Sequence, residues 1–123
     1  MSHSPMPPEH SPRELFDDSL TLHDQCLGAG LMEASYHALA AAMLCAEAAS
    51  SRNALDLVIK LAHERQQSID AERPSPRFSA AEAHARGTIP PFESLAATAE
   101  EIRTRLKRAG TRAGTRKPAD ILG

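Results

Sequence analysis

The sequence has no tryptophan, one tyrosine, three phenylalanines and only two cysteines in 123 residues. With so few aromatics, alanine must do much of the packing. Small side chains let helices approach closely but remove little area from water each. Roughly a hundred residues can still fold without a metal or disulfide, so the expected result is modest stability with some reliance on a partner or on self-association. Cys26 and Cys45 form no Cys-x-x-C pair, and no Gly-rich phosphate loop or serine nucleophile elbow is present. If the helices flanking Gly28 and Gly30 run antiparallel, Cys45 lies opposite a residue near Arg13. The two sulfurs are then roughly 20 Å apart along the axes. Two buried thiols in a reducing compartment are therefore expected, not a bridge. The longest apolar run, residues 38–46, is nine residues, far too short for a membrane span. The first residues carry neither a cationic nor an apolar signal segment, so a cytoplasmic protein without membrane contact is expected.

Helix formers, by contrast, are abundant. Residues 31–50 contain no Gly, Pro or Val and read as one helix. In the next stretch, residues 53–72, Leu55, Val58, Ile59, Ala62, Gln66 and Ile69 recur at three- and four-residue steps, forming one stripe along a helix. Asn53 is placed to cap it, with Asp56 three residues on. Ahead of this pair, Ser11, Pro12 and Glu14 spell a capping box with proline at the first helical position. That helix would run to about Leu27, with Phe16, Leu20, His23 and Leu27 on one stripe and Leu15, Leu22 and Cys26 on an adjacent one, and Gly28 and Gly30 would end it. Ser79 and Glu82 repeat the capping signature before a short helix ended by Gly87. A final helix from about Pro91 carries Phe92, Leu95, Ala96, Ala99, Ile102 and Leu106 on a single face, with Gly110 at its expected end.

The fold class that follows is all-α: a small helical bundle of three long helices plus a C-terminal helix, built on an Ala-rich antiparallel hairpin. Residues 11–109 form the single helical domain. Residues 1–10, rich in Pro, Ser and His, are expected as a disordered lead-in, and Arg73, Pro74, Ser75 and Pro76 as a stiff linker. Residues 110–123, with Ala-Gly-Thr-Arg duplicated at 109–112 and 113–116, are expected as a flexible basic tail.

Residues 30–41 resemble part of a tetratricopeptide repeat, in which small residues of the second helix pack against the first. Ala34, Ala38 and Ala41 carry the resemblance, although the middle position is not aromatic and no second copy recurs at a 34-residue period. The resemblance implies a protein-binding helical scaffold and transfers no functional residue.

Charge is the most informative functional feature. Through Ile102 there are 7 basic and 15 acidic residues, a net of −8, whereas 103–117 hold seven basic residues and no acid. Arg105, Lys107, Arg108, Arg112, Arg116 and Lys117, with Arg103, are candidate contacts for an anion or an acidic partner. The plainer alternative is a solubilising tail, or one that folds back on the acidic body. No aromatic interleaves this run, which removes the stacking element of a single-strand binder.

Glu33 and His37, four residues apart, could supply two metal ligands, but the Glu-x-x-His of di-iron bundles is absent. His23 and His63 read as packing or surface histidines, and His3 and His10 lack a rigid scaffold. No metal, no cofactor and no catalytic residue is therefore expected, unless dispersed groups such as Tyr36, His37 and Glu47 converge in a pocket. The leading expectation is a cytosolic protein–protein interaction or scaffold protein that is not an enzyme, with an unknown partner or self-association. The alternatives are an accessory binder of nucleic acid or an acidic partner through the basic end and, second, a small-molecule or metal-dependent enzyme.

Overall fold

The computed structural model of the chain describes residues 11–72 and 78–122, and of 72 and 111–122 the helical backbone alone. The expected lead-in (1–10) and the stiff linker (73–76) lie outside the described residues. The described residues form α1 (Pro12–Gly28), α2 (Met32–Ala48), α3 (Arg52–Glu72), α4 (Ala80–Ala85) and α5 (Pro91–Leu122), with no strand among them.

Local chemistry sets most of these boundaries. At the start of α1, Glu14 N donates to Ser11 Oγ at 3.2 Å and Ser11 N to Glu14 Oε1 at 3.0 Å, the reciprocal capping box with Pro12 as first helical residue. Ser79 caps α4 in half of the same way, accepting from Glu82 N at 3.1 Å. The cap of α3 is Ser51, not Asn53: Ala54 N donates to Ser51 Oγ at 3.1 Å and Leu55 N to the Ser51 carbonyl. Both residues suit a cap, but the turn out of α2 brings Ser51 to the start of α3 first.

Three helices end in the same way. Leu31 N reaches the Cys26 carbonyl and Gly30 N the Leu27 carbonyl; Ser51 N and Ser50 N do this at Ala46 and Glu47, and Thr88 N and Gly87 N at Ala83 and His84. Each is a Schellman ending whose pivot is left-handed: Gly30 (φ 77°), Ser50 (φ 52°) and Gly87 (φ 72°). Ser50 carries a Cβ where glycine suits the backbone, at a cost of about 1 kcal/mol. Ser50→Gly is accordingly expected to raise the melting temperature by about 4 °C or more, read by thermal denaturation; an unchanged or lower value would mean that the strain is relieved locally. Gly28 stays helical and Gly110 lacks the left-handed twist, so α5 does not stop at Gly110 but continues to Leu122. An isolated glycine weakens a helix by about 1 kcal/mol relative to alanine but ends it only where the chain turns left-handed.

The closest pairings are α1 with α2 and α3 with α5, and α2 bridges the two pairs. α2 and α3, read from the sequence as the central hairpin, touch each other less extensively. The α3 stripe is buried as expected, from Leu55 to Ile69, and so is the α5 face of Phe92, Leu95, Ala96, Ala99 and Ile102. α1 is narrower than expected. Phe16, His23 and Cys26 are buried, but Leu15 and Leu22 are 41% and 51% exposed, because α1 is flanked closely by α2 alone.

Most of the scarce aromatics are gathered at one point. Tyr36, Phe78 and Phe92 meet at ring-centroid distances of 5.4, 5.7 and 6.0 Å, a spacing at which tilted and edge-on pairs attract. Phe78 follows the proline-rich stretch and precedes α4, so no helical periodicity announces it. Gln66 fastens it by donating through Nε2 to the Phe78 carbonyl (2.8 Å) and to Asp70 Oδ1 (3.1 Å), which also accepts from Ala80 N (2.9 Å).

Candidate functional site

Two places combine polar chemistry with defined geometry. The first is His23, which is fully buried and meets the three other long helices. Its Nδ1 lies 2.7 Å from the Ser35 carbonyl of α2, its Nε2 lies 3.0 Å from Arg65 Nε of α3, and its ring stands edge-on to Phe92 of α5 at 6.5 Å. A carbonyl can only accept and a guanidinium can only donate. Nδ1 therefore carries the proton and Nε2 the lone pair, so the imidazole is neutral. Burial holds its pKa below the ordinary value of 6.5; the Arg65 cation lowers it further, against opposing contributions from the Ser35 carbonyl and Asp24. Arg65 also reaches Asp24 Oδ1 at 3.5 Å, which keeps the guanidinium across the α1–α3 boundary. Reading His23 as a packing histidine captured its burial and missed its partner, since nothing near Arg65 in sequence marks it as a donor 42 residues away.

The second place is the basic part of α5. Arg103 Nη1 pairs with Asp56 Oδ1 at 2.6 Å, and Arg105 Nη2 with Glu47 Oε2 at 3.5 Å. Two of the basic residues are thus paired with acids of α3 and α2. Lys107 and Arg108 are exposed. Between the start of α3 and α5 lies an open groove of about 370 Å³ lined by Arg52, Asn53, Asp56, Arg103, Thr104 and Lys107, three cations against one carboxylate. Arg52 had no place among the candidates because it joins Arg103 and Lys107 only through the α3–α5 packing. Arg112, Arg116 and Lys117 belong to the part of α5 described by its backbone.

The remaining candidates do not assemble. His37 Nε2 lies 3.4 Å from Glu33 Oε2 on the exposed side of α2, and no group of three or more metal-ligating side chains occurs among the described residues. Tyr36 is half-buried and packs on Phe78 and Phe92, while Glu47, eleven residues along α2, holds Arg105. Helical rise separates the two by roughly 16 Å, so Tyr36, His37 and Glu47 form no common pocket. His63 faces Glu100 of α5 at 3.8 Å. Of the alanines that carry the tetratricopeptide resemblance, Ala38 is buried and Ala34 and Ala41 are exposed. Both thiols are free, Cys26 buried and Cys45 half-buried. No helix among the described residues is long and apolar enough to cross a membrane.

Compared with known proteins, the chain matches no family model, no curated protein and no solved structure.

Proposed function

We propose that the protein is a small cytoplasmic scaffold, built on Ala-rich antiparallel helices, that binds another protein through the outer side of its α1–α2 pair. One observation carries this reading. In a chain so short of large apolar residues, Leu15, Leu22, Leu31 and Leu44 stand 41%, 51%, 55% and 57% exposed on α1, α2 and the turn between them. Leu15 and Leu22 are seven residues apart and share one line of α1. A soluble surface gains nothing by carrying leucines in register, whereas a partner helix with its own apolar stripe would cover them.

The test compares the wild type with a Leu15→Asp, Leu22→Asp double variant as bait in nuclease-treated lysate, alongside thermal melts. Both leucines are exposed, so the variant is expected to melt within a few degrees of the wild type while losing a discrete protein that the wild type retains. Equal recovery by both baits would reject this surface.

A further inference from the structure

We propose that the groove between the start of α3 and the middle of α5 is a phosphate-binding site, where the protein holds the backbone of a nucleic-acid duplex. This goes beyond the protein-binding reading and uses the other end of the molecule. Arg52 from α3 and Arg103 and Lys107 from α5 line the groove together with the hydroxyl-bearing Thr104 and the amide-bearing Asn53. Only one acid, Asp56, lines it, and that carboxylate is already engaged, gripping Arg103 Nη1 at 2.6 Å. A guanidinium has five N–H donors, so an Arg103 anchored on one side retains donors for a phosphate on the other. Lys107 is exposed one turn along α5 from Arg103, and both border the same groove.

Charge determines which ligand fits. The chain through Ile102 carries −8, whereas 103–117 carry seven cations and no acid. A polyanion is therefore repelled by the body and accepted only at this end, which orients it. Arg105 and Arg108 lie on another side of α5, with Arg105 turned to Glu47 of α2, so the cations of the groove itself are Arg52, Arg103 and Lys107. With no aromatic residue from 103 to 117 there is nothing for unstacked bases to stack on, so the ligand is a duplex recognised by its backbone, not a single strand.

The test measures binding of the full chain to a fluorescently labelled mixed-sequence 20-base-pair DNA and, separately, an RNA duplex of the same sequence, from 50 to 200 mM salt. The three cations of the groove correspond to a log–log salt slope near −2.7, and so to roughly a fortyfold loss of affinity across that range. The double variant Arg52→Ala, Lys107→Ala should make the slope shallower by about two, whereas Lys60→Ala, an exposed lysine elsewhere on α3, should leave it unchanged. All three substitutions are at exposed positions, and thermal melts confirm that the variants fold. Either duplex binding with that slope supports the site, and the tighter one names the source of the phosphate. No binding at 50 mM salt, an unaltered slope in the double variant, or tighter binding to a glutamate-rich peptide than to both duplexes would overturn it. None of these results bears on the leucines of α1, so the two proposals stand or fall separately.

Discussion

His23→Ala should lower the unfolding free energy by about 2–4 kcal/mol, and the loss should shrink as the solution is acidified. The first part follows from burial. Removing the imidazole leaves a cavity in a fully buried position and deprives the Ser35 carbonyl and Arg65 Nε of their partners. The second part follows from linkage. The folded-state pKa of His23 is depressed below 6.5, so at pH values under 6.5 the unfolded chain takes up a proton that the folded chain refuses. The stabilising contribution of His23 is therefore complete above about pH 6.5 and is lost as pH falls towards the folded-state pKa, at no more than about 1.4 kcal/mol per pH unit. Protonation would put an N–H at Nε2 opposite Arg65 Nε and bring two cations together, with Asp24 as the nearby counter-charge. Around the ring α2 places the Ser35 carbonyl and α5 the Phe92 ring; the carbonyl favours the charged form, but burial and Arg65 outweigh it. Urea denaturation of wild type and variant at pH 8.0, 6.5 and 5.5 reads both effects. A difference between the two proteins that stays constant over this range would show that His23 titrates normally in the fold.

Much of the architecture is legible in the sequence because it is written in local signals. The capping box at Ser11 and Glu14, the stripe from Leu55 to Ile69 and the α5 face from Phe92 to Ile102 each lie within one helix, where spacing alone fixes what faces inward. The errors share a cause. Ser50 looks like any connector residue until the Schellman turn places it at φ 52°, and Gly110 looks like a stop although the chain there never turns. Phe78 has no periodic neighbours, and its place beneath α2 and α5 follows from contacts distant in sequence, among them the amide of Gln66 donated to its carbonyl and the rings of Tyr36 and Phe92. The candidate sites were less legible still. The partners of His23 come from 12 and 42 residues away, and the basic groove needs Arg52 and Lys107 on different helices. A single chain read in order shows charge and periodicity, but not which helices become neighbours; here the α3–α5 pairing decides it.

That pairing can be broken with one residue. Leu95 is 4% exposed on the α5 face that packs on α3, and Leu95→Asp is expected to destabilise the fold by about 4 kcal/mol or more. Leu95→Ala, which removes the same packing without adding a polar group, should cost about 2–4 kcal/mol; the excess measures what burying a carboxyl adds. Domains of this size have only about 5–15 kcal/mol in total, and a core with three phenylalanines and no tryptophan belongs at the lower end. The Asp variant should therefore be largely unfolded at 37 °C, or should keep α1–α2 while α5 detaches. Circular dichroism separates these outcomes: global unfolding removes most of the helical signal, whereas detachment leaves the α1–α2 signal and opens α5 to limited proteolysis after Arg103 and Arg105. A melting temperature equal to that of the wild type would mean that α5 is not held by this face. The phosphate groove would then lose its far wall, because Arg103, Thr104 and Lys107 reach Arg52 only while α5 is docked.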